Sequence, residues 1–140
     1  MMTKLEITWK NYDSKILDHN QLTQLPADFH ISDISKMISG RQGSGLKFRR
    51  LLESLKPDGT AIEKISLQAS HDKFEKSIQW QLIPEEAVLV YEINGEEIPV
   101  EQGGPCRLYV PGTVVCGLAE LDNCVNVKHL DRIDVELATV

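Results

Sequence analysis

The sequence predicts an α+β domain, mainly β, with mixed or antiparallel sheets and two principal helices. Three observations carry this expectation. Leu5, Ile7 and Trp9 alternate with polar residues, the period of a half-buried strand. Phe48, Leu51, Leu52 and Leu55 recur at helical spacing, leaving Lys47, Arg49, Arg50 and Glu53 on the opposite face. Asn94-Gly95 separates two apolar stretches, the residue pair of a hairpin turn that needs φ > 0 at both central positions. Strands outnumber helices and do not alternate with them, which argues against a doubly wound parallel sheet.

The elements follow in order. After the first strand, Asp18 is placed to cap a short helix running to about Leu25, closed off by Pro26. Phe29, Ile31 and Ile34 read as a second short strand or extended segment. Ile38 to Gly45 contains Gly40, Gly43 and Gly45 and reads as a loop. The second helix is expected from Leu46 to Leu55, stopped by the turn Lys56-Pro57-Asp58-Gly59. Ile62 to Leu67 and Ser77 to Trp80 read as strands, and Pro84-Glu85-Glu86 turns the chain into the hairpin Val88 to Ile98. A bend at Gly103-Gly104-Pro105, another strand, and a lysine beside a final strand complete the chain.

At 140 residues the chain is expected to form one domain over 1–140, burying roughly two-thirds of its unfolded surface. A net charge of -6 excludes broad electrostatic attraction to nucleic acid or anionic lipid. No segment approaches the roughly 18 apolar residues that span a bilayer, and Met1 to Lys10 has no signal-peptide core, so a cytoplasmic location is expected. The odd count of three cysteines, Cys106, Cys116 and Cys124, then points to reduced, at least partly buried thiols.

Most motifs that resemble reactive sites lack a required part. Gly40-Arg41-Gln42-Gly43-Ser44-Gly45 precedes a helix but lacks the Gly-Lys-Ser/Thr of a phosphate-cradling loop. His71-Asp72 reads as an exposed loop pair, because no histidine lies at i, i+4 from another on an expected helix. There is no Gly-x-Ser-x-Gly elbow. Lys47, Arg49 and Arg50 read as a solvated helix face, and Glu96, Glu97 and Glu101 as a solvated hairpin exit.

The ordered run Tyr91-Glu92-Ile93-Asn94-Gly95, Ile98-Pro99, Gly103-Gly104-Pro105-Cys106-Arg107, Val110-Pro111 and Val127-Lys128 resembles the molybdopterin-binding domain of the sulfite oxidase family. Upstream, Gly45-Leu46-Lys47-Phe48-Arg49-Arg50-Leu51-Leu52 is similar to that family's helix start, and Leu130 to Val135 to its closing strand. The likeness covers roughly residues 16 to 136 and implies a sulfite-oxidase-type fold with a molybdopterin cofactor, a small-molecule partner. It implies that Arg107 contacts the pterin, that Gln102 is a further cofactor contact, and that Lys128 with the backbone of Asn126 and Val127 holds the phosphate. A planar guanidinium and a lysine suit such an anionic ligand.

The chain departs from the family pattern where the metal is held. In the family a cysteine thiolate before the second helix binds molybdenum; here Phe29 to Gly45 holds His30, Ser32, Asp33, Ser35 and Ser39 but no cysteine. No residue is therefore assigned as a metal ligand, and oxygen donors are a hard substitute for a thiolate. His30 and Ser32 are expected to face the cofactor cavity in its place. Cys116 to Val125 is an insertion relative to the family pattern, beside the expected phosphate site. Two functions follow from the resemblance. One is two-electron oxygen-atom transfer on a small oxyanion or sulfoxide; the other is a catalytically inactive module binding a ligand or partner.

Overall fold

The computed structural model describes residues 4–31, 34 and 43–139. Ser32, Asp33 and most of the glycine loop lie outside them. Among the described residues, ten strands form two sheets, accompanied by two helices. The strands are β1 (Lys4–Trp9), β2 (Lys15–Asp18), β3 (His30–Ile31), β4 (Ser44–Lys47), β5 (Thr60–Ala69), β6 (Phe74–Gln79), β7 (Val88–Ile93), β8 (Glu96–Glu97), β9 (Arg107–Tyr109) and β10 (Arg132–Thr139). The helices are α1 (His19–Thr23) and α2 (Phe48–Leu55), and short 3-10 turns fill several connections.

The first sheet runs β2-β1-β10-β5-β6 and is mixed, since β1 and β10 pair in parallel and the other neighbours antiparallel. The second runs β3-β4-β7-β8, with β9 also paired to β7, and is antiparallel throughout. Leu5, Ile7 and Trp9 of β1, Ile65 and Leu67 of β5, and Ile133 and Val135 of β10 are buried in one core. That core also takes Phe48, Leu51 and Leu52 of α2, and Leu46, Leu89, Tyr91 and Leu108 of the second sheet. A smaller cluster of Ile34, Val88, Val90 and Ile98 covers the other face of β7. This strand is therefore apolar on both faces and reads as a continuous run where a one-sided strand would alternate.

Local chemistry explains the element boundaries. Asp18 accepts the Gln21 backbone N–H while Gln21 returns a bond to the Asp18 N–H, a reciprocal capping box that starts α1. Asn94 and Gly95 have φ of 53° and 78°, as the hairpin turn requires. The expected loop and helix start at Gly45 and Leu46 are corrected: both lie in β4, and α2 begins at Phe48. A Cβ on Gly45 would stand 2.5 Å from Val88 Cγ1 and 2.9 Å from the Leu89 carbonyl oxygen. That glycine permits close approach of β4 to β7; it does not mark a loop.

Candidate functional site

The segments carrying the expected ligand contacts are brought side by side by backbone pairing. The Leu108 N–H donates to the Val127 carbonyl, 3.0 Å, and Cys106 bridges Leu130 in antiparallel fashion. Before β9 the chain bends tightly: a Cβ on Gly104 would lie 1.8 Å from the Ile98 carbonyl oxygen. Gly103, at φ 96°, leaves room for the Arg107 side chain, whose Cδ would stand 2.8 Å from a Cβ there. Arg107 Nη1 donates to the Gln102 carbonyl, 3.2 Å, so these two residues form one half of the expected site.

Asn126, Val127 and Lys128 form the other half. Together with Asp72, Phe74, Asn123 and Cys124 they line a groove of about 250 Å³. The backbone N–H groups of Asn126 and Val127 are already given to the Asn123 and Val125 carbonyls, and the Asn126 side-chain carbonyl accepts the Val110 N–H. Lys128 is exposed and is the cation that this groove offers. Gln102 and Arg107 are not among this groove's lining residues; the Leu108–Val127 backbone bond sets their segment beside it.

His30 does not stand with Arg107. Cross-strand register puts His30 opposite Leu46, and Leu46 opposite Leu89, which in turn pairs Leu108. Ile31, Gly45, Val90 and Arg107 form the alternate row on the other face. His30 Nε2 donates to the Leu25 carbonyl, 2.9 Å, which leaves Nδ1 to accept the Tyr91 hydroxyl, 3.3 Å. The expectation that His30 shares a cavity with Arg107 is thus corrected, and Ser32 lies outside the described residues. Tyr91 also neighbours His19, which bonds Glu92 at 2.8 Å; burial, then the Glu92 charge, raises the tyrosine's pKa.

The cysteines are corrected as well. Cys116 and Cys124 form a disulfide, and Cys116 is exposed. An odd cysteine count is weak evidence against a bond between residues that a short loop folds together. Asp122, 2% exposed, organises that loop: its carboxylate accepts the N–H groups of Gly117 and Cys124 and faces Lys76 Nζ at 3.5 Å. Those two N–H bonds, the Gly117 bond first, with Lys76 beyond them, hold its pKa below the usual carboxylate range. Cys106 is the free thiol, fully buried, and desolvation reinforced by the Asp131 charge pushes it up to about 12. The chain therefore presents no thiolate to a metal: one sulfur is walled in the core and the other two are bonded to each other.

One arrangement was not legible in the sequence. The antiparallel pairing of β5 with β10 sets Gln68 opposite Arg132, so the turn after β5 meets the segment before β10. The Ser70 N–H bonds the Asp131 carboxylate and the Asp131 N–H bonds the Gln68 carbonyl. His71 and Asp72 thereby meet His129, whose ring stacks on His71 with centroids 4.2 Å apart. The His71 hydrogen bond, aided by the His129 and Lys128 charges, holds Asp72 below the usual carboxylate range. Adjacent residues at 71 and 72 signalled only half of this group.

The basic helix face is also more than a solvated surface. Arg49 donates to the carbonyls of Trp80 and Ile83, pairs with Glu85 and stacks over the Trp80 ring. Arg50 pairs with Asp28. Their hollow of about 550 Å³, lined by Lys47, Arg49, Arg50, Glu53 and Glu85, is largely neutralised by these partners.

Comparison with known proteins gives a consistent picture. The family model described as oxidoreductase molybdopterin binding domain matches residues 18–138. The crystal structure of the sulfane dehydrogenase SoxCD from Paracoccus pantotrophus is similar over 99% of this chain, with a TM-score of 0.63 and 18% identity. The chain spans 39% of that chain's length. At that identity the likeness establishes the fold, a sulfite-oxidase-type arrangement. No curated protein matches the chain. Among the described residues, no helix is long and apolar enough to cross a membrane.

Proposed function

This chain belongs to the oxidoreductase molybdopterin-binding domain family, and on that footing we propose that it is a ligand-binding member that does not anchor molybdenum. It binds an anionic pterin-phosphate ligand along the Lys128 groove, with Arg107 on the adjoining strand β9 and Gln102 on the turn before it. The observation that carries this reading is the state of the sulfurs. Cys106 is sealed in the core with its thiol pushed up to about 12, and Cys116 and Cys124 are bonded together. The residues present fit the anionic organic part of the cofactor through Lys128 and Arg107. They do not fit its metal, whose chemistry in this family rests on a thiolate ligand. Two-electron oxygen-atom transfer accordingly lacks its anchor, and no step of it is assigned to this chain.

The test is fluorescence titration of the purified chain with molybdopterin released from a molybdoenzyme, with molybdenum counted by mass spectrometry. Saturable pterin binding with far less than one metal per chain is expected. Lys128→Ala should weaken binding roughly tenfold or more, the scale of one charge-assisted hydrogen bond. Stoichiometric molybdenum with turnover of sulfite or a sulfoxide would refute the proposal, as would pterin binding indifferent to both Lys128→Ala and Arg107→Ala.

A further inference from the structure

We propose that His71, Asp72 and His129 form a binding site for a divalent transition-metal ion of the zinc class, distinct from any molybdenum centre. One ligating atom from each residue lies within 4.8 Å of the other two. Bonds of about 2.0–2.2 Å to nitrogen and carboxylate oxygen require donors roughly 3.3 Å apart, so a small inward movement completes the set. His71 and Asp72 are exposed on a 3-10 turn and are able to make that movement. His129 is the fixed member.

How His129 is fixed points to metal ligation. Its backbone has φ 58°, a conformation that is costly outside glycine, and is held there by its N–H bond to the Gly103 carbonyl, 2.8 Å. Its ring Nδ1 lies 2.8 Å from the Gly104 carbonyl oxygen. A carbonyl only accepts, so Nδ1 carries the proton and Nε2 keeps its lone pair. A histidine whose second nitrogen donates to a backbone carbonyl is oriented as metal-ligating histidines are. His71 Nδ1 stands 3.0 Å from the Asp72 carboxylate oxygen, close to the separation of two donors on one ion, so in the tautomer protonated at Nε2 these two atoms supply adjacent ligands.

The donor set selects the metal class. Two imidazole nitrogens and one carboxylate suit zinc, nickel or copper; magnesium and calcium prefer all-oxygen sites, and copper(I) prefers sulfur. Three protein ligands leave an exchangeable coordination position. Asp72 also lines the groove with Lys128, so the ion stands at the edge of that groove. The assignment does not depend on pterin binding. Cys116, Asp122 and Cys124 are a second close group, but the disulfide withholds both thiolates and Asp122 is buried.

The experiment uses the tag-free chain, stripped with a chelator and kept non-reducing, titrated with zinc by calorimetry and with cobalt by its visible absorption. One ion per chain is expected, and histidine ring NMR signals should move for His71 and His129 but not for His19 or His30. His129→Ala and His71→Ala should each weaken binding by at least about tenfold, a loss that even outer partners of metal ligands produce. Zinc affinity equal in the wild type and the His71→Ala/His129→Ala double variant would overturn the site. So would ring shifts confined to His19 and His30, a result that does not rely on any variant folding.

Discussion

At the scale of single residues, a few positions have no slack. Gly104 is one, because a methyl group there would sit 1.8 Å from the Ile98 carbonyl oxygen, backbone that cannot rotate away. Gly104→Ala is expected to cost about 3 kcal/mol or more, at the upper end of overpacking penalties, seen as a lower urea midpoint. Asp122 is another, and its contribution depends on pH. Bonds from Gly117 and Cys124, with Lys76 nearby, depress its pKa in the folded chain, which thus binds fewer protons than the unfolded chain. Its stabilisation is fully present above the ordinary carboxylate value, about 3.9, and is lost as pH falls through the lower folded value. The midpoint gap between wild type and Asp122→Asn should therefore be wide at neutral pH and narrow in acid. A gap that widens in acid would contradict this.

At the scale of elements, the turn and cap residues decide where structure begins and ends. Gly95 has φ 78°, and a Cβ there would meet nothing within 4 Å, so Gly95→Ala encounters only backbone strain. A loss of about 1–2 kcal/mol is expected from chemical denaturation. Asp18→Ala removes the capping box of α1 and should cost about 1 kcal/mol by the same measurement. The turn at Asn94-Gly95 and the capping role of Asp18 were legible because each needs only its own neighbours. The alternation of β1 and the helical period of α2 were legible for the same reason. Gly45 was not, since what demands a glycine there is Val88, on a strand far along the chain. Arg49 was misread for the same cause, its partners being the carbonyls of Trp80 and Ile83.

At the scale of the molecule, the candidate sites are assembled by pairings between distant segments. Arg107 and Val127 become neighbours through β9, and His129 reaches His71 because β10 lies against β5. Only the family pattern made Gln102, Arg107 and Asn126 to Lys128 visible in the sequence; His129 carried no such signal. The loop bearing the disulfide joins this assembly from outside, anchored to β6 by Lys76 with Asp122 and by the Gln79 N–H with Glu120. Because Cys124 lines the Lys128 groove, opening the bond should alter the groove more than the fold. Thiol counting separates the two sulfur environments. Native, unreduced protein should show no reactive thiol, since Cys106 is buried and its thiol is pushed up to about 12. Denatured without reductant it should show one, and with reductant three, matching the three cysteines of the chain. Reduction of the folded protein should lower its stability by at most roughly 2–3 kcal/mol, the loop-closure entropy of so short a ring. Three thiols in the denatured, unreduced chain would remove the disulfide and return Cys116 and Cys124 to the pool of metal donors.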